Sequence, residues 1–169
     1  MAIQPPYARA ILDGSKQVEF RKRRLAADID TVLIYESAPT KRIVGHFIIE
    51  RTVLATPRRL WRSFGSVGSI ARADYLNYYG ASELAVGLVI KRAERYTYPV
   101  ALADLSSRPA VPQSFSYLPT SALTEVQSLQ KIDPAWIDWI LDLVAMPLRH
   151  ITQLSSRATS KINTVASPR

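Results

Sequence analysis

Cysteine is absent from this chain of 169 residues, and histidine occurs only twice. Without thiolates there are no disulfide staples and no cysteine-ligated metal sites, and zinc chemistry of the nucleobase-deaminase type is excluded with them. His46 falls in a strand pattern, where it reads as a satisfied core residue, and His150 falls at a helix end. Two such isolated imidazoles build no metal centre, so neither metal nor cofactor is expected. No apolar run approaches the roughly 20 residues that a helix needs to cross a bilayer. Nor does a charged segment followed by an apolar stretch open the chain, so the expectation is a cytoplasmic protein without a membrane partner. No internal repeat is evident.

What the chain has in excess is positive charge, with a formal net charge of +8. Residues 1–62 hold twelve Lys/Arg against six Asp/Glu, and residues 149–169 hold four against none. Clustered cations attract polyanions through counterion release, a force that confers affinity for nucleic acid without sequence choice. With 47% hydrophobic residues the chain supports one ordinary domain and an extension. The expected division is a β-rich domain over 1–118, a helical extension over 119–148 and a basic, flexible tail over 149–169.

Pro5-Pro6 opens a short helix whose apolar stripe is Tyr7, Ala8, Ile11 and Leu12, and Gly14 ends it in the left-handed conformation. Gln17 to Arg21 then alternates polar and apolar, the period of a half-buried strand. Thr31 to Tyr35 is apolar on both parities and reads as a central strand buried on both faces. Ile43 to Leu54 returns as a long strand with Gly45 as a candidate bulge. Thr56-Pro57 caps a basic helix carrying Arg58, Arg59 and Arg62. A second helix is expected over Ser69 to Tyr79, with Ile70, Ala73, Leu76 and Asn77 near its inner face, and the intervening Gly65, Gly68 and serines read as a flexible connector. Glu83 to Arg95 is a further strand, with Tyr96, Tyr98 and Pro99 leading out into a loop over Leu102 to Leu118. Leu123, Val126 and Leu129 mark a helix, and Asp133-Pro134 starts an amphipathic one containing Trp136. Strands meeting at bends favour a curled β-barrel with flanking helices over a flat sheet, an α+β fold with a C-terminal helical extension.

Chemistry concentrates at Lys16, Glu19 and Arg21. On period alone, a charged edge strand that blocks aggregation is the better reading of them. As a site, the cations would meet phosphate while the carboxylate accepts from a base edge or steers the lysine. Tyr35 and Ser37 stand at the end of the buried strand, positioned either to donate to a ligand or to cap a turn. Tyr75, Tyr78 and Tyr79 offer a stacking face for a base, with core packing expected for at least two of them.

Gly14, Lys16, Glu19 and Arg21 stand in the spacing G-x-K-x-x-E-x-R, which resembles the signature of the ASCH domains of the PUA-like superfamily. The segments Ile3 to Leu12, Val32 to Pro39, Ile43 to Gly45 and Pro112 to Leu118 are similar to further elements of that family in the same order. The resemblance implies a curled β-barrel with a cleft for RNA or a modified nucleobase, lined by Lys16, Glu19 and Arg21, with Gly14 shaping its rim. Arg23, Arg58, Arg59 and Arg62 join them as candidate phosphate contacts. Some family members hydrolyse N4-acylated cytidine with a lysine, a threonine three positions later and a glutamate. Here Lys16 is kept but Glu19 replaces the threonine, which removes the hydroxyl nucleophile. The leading expectation is therefore an RNA-binding or nucleotide-binding module. The alternatives are a metal-independent hydrolase acting on a modified nucleoside or RNA, with Lys16 and Glu19 as its catalytic pair, and a protein-docking role for the 134–148 helix.

Overall fold

The computed structural model describes residues 1–131. The helix expected over 134–148, His150 and the tail over 149–169 lie outside the described residues. Residues 1–130 form one compact unit, built from five strands and four α-helices: β1 (Ala2–Ile3), α1 (Pro5–Leu12), β2 (Val18–Arg21), β3 (Thr31–Glu36), β4 (Arg42–Ala55), α2 (Pro57–Phe64), α3 (Arg72–Tyr79), β5 (Ala85–Val100) and α4 (Ser121–Leu129). The class is α+β, as expected. The strands form one mixed sheet in the order β1-β3-β4-β5-β2, with β1 parallel to β3 and every other pairing antiparallel.

Local chemistry explains the boundaries. α1 carries proline at its start, and Gly14 follows its C-cap with φ +83°. A Cβ there would meet nothing within 4 Å, so the backbone conformation rather than space selects glycine. Thr56 caps α2 as anticipated, its hydroxyl accepting from the Arg59 N–H at 3.4 Å. Between α2 and α3 the chain forms an ordered 3-10 turn at Gly65–Val67 and buries Gly68, where a flexible connector was expected. α3 also corrects the reading of its face: Tyr75 and Tyr79 point inward, while Ala73, Leu76 and Asn77 are exposed.

The barrel expectation becomes an open sheet. Among the described residues β1 and β2 each pair on one side only, so backbone hydrogen bonds do not close the ring. Curvature comes from β4 and β5, which run together for most of their length and change register between Ile43 and Gly45 and on either side of Ile49. Each such irregularity adds bend and twist. β5 runs on to Val100 rather than stopping near Arg95, because Ile43 pairs with Val100 and Tyr96 is buried with its hydroxyl 3.0 Å from His46 Nδ1. That burial holds His46 below the ordinary imidazole pKa.

Three apolar clusters fill the unit. One places Ala8 and Ile11 of α1 against Ile34, Phe47 and Leu88. A second packs Val18, Phe20 and Leu60 with Tyr75 and Tyr79. A third joins Tyr35, Ile43, Tyr96 and Val100 to Val126 of α4.

Gly45 is the tightest point of the first bend, where a Cβ would press on the Glu94 carbonyl oxygen and the Leu12 side chain. Gly45→Ala is therefore expected to cost about 1–3 kcal/mol through overpacking, read as a lower urea midpoint at unchanged m-value.

Candidate functional site

Curling brings the two unpaired sheet edges near each other, and a cavity of about 370 Å³ opens there. β1 contributes Ala2 and Ile3, and the N-cap and first turn of α1 contribute Gln4 and Tyr7; the approach to β2 and the strand itself contribute Lys16, Glu19, Phe20 and Arg21; Ser37, Ile70, Tyr78 and Gln113 complete the wall.

The charged residues are not on a solvated face. Lys16, Glu19 and Arg21 keep only 3%, 6% and 8% of their surface exposed, so the alternation of β2 has a polar face that is buried. This discards the edge-protection reading. Glu19 sits between the two cations, its Oε1 2.9 Å from Arg21 Nη2 and its Oε2 3.5 Å from Lys16 Nζ. The Lys16 ammonium donates to the Gly68 carbonyl at 2.6 Å and stands 5.3 Å and 5.0 Å from the Tyr7 and Phe20 ring centroids. Arg21 crosses to the opposite edge, donating from Nη2 to the Ala2 carbonyl at 2.8 Å and from Nη1 to Ser114 Oγ at 3.3 Å. Its Nε is buried without a hydrogen-bond partner among the described residues.

Burial pushes the Lys16 pKa below that of an ordinary lysine; Glu19 opposes this shift and Arg21 adds to it. Tyr7 and Tyr78 are both raised, burial being the largest cause for each, with Asp74 contributing next for Tyr7. The site is thus a desolvated niche holding one carboxylate, two cations and three aromatic rings.

Of the sequence candidates, Tyr75 and Tyr79 pack in the second apolar cluster, while Lys16, Glu19, Arg21, Ser37 and Tyr78 line this cavity. Tyr35 does not: the register irregularity beside it turns its ring into the third apolar cluster. Gly14 serves the turn into β2 and is not part of the lining. Arg23, Arg58, Arg59 and Arg62 are exposed and also lie outside the lining. Sequence reasoning missed Gln4, Tyr7, Gly68 and Gln113 as site residues. Tyr7 was hidden by its place in an apolar helical stripe, and Gly68 acts through a backbone carbonyl, which leaves no side-chain signal.

The sequence profile of the ASCH domain matches residues 1–98. The ASCH domain-containing ribonuclease of Zymomonas mobilis is 29% identical over 133 residues, 76% of this chain and 89% of that protein. A large ribosomal subunit protein uL22 of Ureaplasma parvum is 29% identical over 119 residues, 70% of this chain; the chain spans only 38% of that relative's length. The crystal structure of ASCH from Zymomonas mobilis superposes with a TM-score of 0.71 at 25% identity, covering 76% of this chain and 92% of that one. With more than half of its length matched by the profile, and with the same fold in a solved structure of that name, the chain belongs to the ASCH domain family.

Proposed function

We propose that this chain is an RNA-binding or nucleotide-binding module that holds one base in the cleft between β1 and β2, with RNA preferred to DNA. The observation that carries the reading is the convergence of the buried Lys16, Glu19 and Arg21 on one cavity, with Arg21 Nε lacking an acceptor among the described residues. A buried donor left unpaired costs about 1–3 kcal/mol, and a base carbonyl or ring nitrogen would recover it. Glu19 supplies the complementary acceptor for an exocyclic amino group. Ligand pockets run from about 300 to 1,000 Å³, so a cavity of about 370 Å³ suits a single nucleotide unit. Arg23, Arg58, Arg59 and Arg62 lie outside the cavity and act as exposed phosphate attractors. The name of the Zymomonas relative, a ribonuclease matched over 89% of its length, supports RNA as the polymer.

Cleavage of the bound RNA is the second reading, favoured by the depressed pKa of Lys16 and by the name of the Zymomonas relative. A lysine whose neutral form is made accessible by burial can take a proton, with Glu19 relaying it. Glu19 occupies the position at which the acylcytidine hydrolases carry threonine, and it is held between two cations, so acyl transfer to a hydroxyl is the weaker form of the hydrolase reading.

Two outcomes are expected for binding. Arg21→Gln should weaken binding of a single-stranded RNA oligonucleotide about tenfold or more in fluorescence anisotropy, the loss of a charged hydrogen bond being worth about 1.5–3 kcal/mol. Joint replacement of Arg58, Arg59 and Arg62 by alanine should instead flatten the dependence of log affinity on log salt by about 2, at roughly 0.7 per phosphate contact. Unchanged binding in both variants would refute the cleft and the phosphate contacts alike.

Glu19→Gln leaves two buried cations facing each other without a counter-charge. It should cost about 3–5 kcal/mol of stability in urea unfolding.

If the chain cleaves RNA, the rate should rise with pH as Lys16 loses its proton, with a midpoint below the ordinary lysine value of 10.5. Lys16→Arg should bind RNA and show no cleavage, because a guanidinium stays protonated. Folding has the same sign: the unfolded lysine holds its proton to higher pH, so stability rises through the window between the lowered value and 10.5.

A further inference from the structure

The cleft continues past the charged triad onto its rim. Tyr78, in the last turn of α3, lines the cavity yet stays 39% exposed, whereas its neighbours Tyr75 and Tyr79 are buried. The Tyr78 ring meets Tyr79 edge-on, with centroids 5.0 Å apart and planes at 73°. Tyr79 is itself anchored, its hydroxyl donating to the Arg21 carbonyl at 3.0 Å. The exposed ring is therefore held in place by a residue tied to β2.

Lys22 lies over one face of that ring, with Nζ 5.1 Å from the Tyr78 centroid, so a stacked base takes the opposite face. The end of β2 accounts for the placement: Arg21, its last residue, turns into the cleft, and the chain then leaves the strand, so that Lys22 emerges at the surface with the exposed Arg23 and Arg24. A fixed aromatic face and an exposed ammonium, adjoining a niche sized for one base, are the two components with which single-strand binders hold a second nucleotide.

We propose that Tyr78 and Lys22 form a second nucleotide subsite at the rim of the cleft. Tyr78 stacks the base next to the one in the cavity, and Lys22 meets the phosphate between them. The ligand class is then a single-stranded oligonucleotide of at least two residues rather than a free nucleoside. This inference rests on the base-binding reading of the cleft.

The test compares a nucleoside monophosphate with a six-residue single-stranded RNA by calorimetry and anisotropy, on the full chain and its Tyr78→Ala, Tyr78→Phe, Lys22→Ala and Arg21→Gln variants. The hexamer should bind the unaltered protein at least tenfold more tightly than the monophosphate. Tyr78→Ala should lose about tenfold for the hexamer and stay within twofold for the monophosphate, while Tyr78→Phe keeps the full affinity. Lys22→Ala should weaken only the hexamer and lower its salt slope by about 0.7. Should Tyr78→Ala melt early, Tyr78→Leu keeps apolar bulk against Tyr79 without a stacking face, and the same selective loss is expected. Equal losses for both ligands, or none for the hexamer, overturn the rim subsite while leaving the cavity intact. Binding that survives Arg21→Gln unchanged overturns the cleft reading itself.

Discussion

A buried guanidinium joins the two open edges of the sheet. Arg21 ends β2, yet its hydrogen bonds run to the Ala2 carbonyl on β1 and to Ser114 in the long loop before α4, so one side chain does what backbone pairing leaves undone. Such a charge is tolerable inside a protein only when a counter-charge and acceptors surround it. Glu19, two residues earlier on the same face of β2, supplies the counter-charge for both Arg21 and Lys16, and the Gly68 carbonyl supplies Lys16 with an acceptor. The groups that hold the edges together are the ones that give the cleft its polarity. Fold and site therefore share one electrostatic centre.

That centre depends on curvature. An untwisted sheet would leave β1 and β2 at opposite margins, three strands apart. The register changes along the β4–β5 ribbon bend it back on itself, and Gly45 permits the first of them because its missing Cβ leaves room for the Glu94 carbonyl and Leu12. Beneath β2, a layer of Phe20, Tyr75, Tyr79 and Trp61 supports the cleft from the apolar side. Burial there pushes the Tyr75 phenol up to about 12, so these tyrosines pack as neutral rings throughout the physiological range. Rigid apolar support below a desolvated polar niche fixes donors and acceptors in place before a ligand arrives, which lowers the entropic cost of binding.

Much of this arrangement is legible in particular residues. The proline start of α1, the Thr56 cap of α2, the apolar run of β3 and the bulge at Gly45 each express a local steric or hydrogen-bonding preference, and each is found where its chemistry placed it. The spacing of Gly14, Lys16, Glu19 and Arg21 likewise marked out the triad. Other positions misled for identifiable reasons. On α3 the apolar count favoured Ala73 and Leu76 as the inner face, but Tyr75 and Tyr79 bury more surface and also find acceptors in the Pro57 and Arg21 carbonyls. Tyr35 lay at a strand end that looked accessible, and the β3 irregularity turned it into the core.

By itself, then, the sequence determined the element types, their caps and turns, the α+β class and the basic balance, because these follow from composition and from interactions within a few residues, while the charged triad was marked by its likeness to the family signature. Only the tertiary structure decided whether the polar face of β2 meets water or protein. Period-two alternation states that a strand has two unlike faces; what covers each depends on segments far away in sequence, such as Gly68 and Ser114, 52 and 93 residues from their partners Lys16 and Arg21. Long-range packing is also what separated Tyr78 from its two buried neighbours, for three similar side chains on one short helix differ only in what the rest of the chain brings against them.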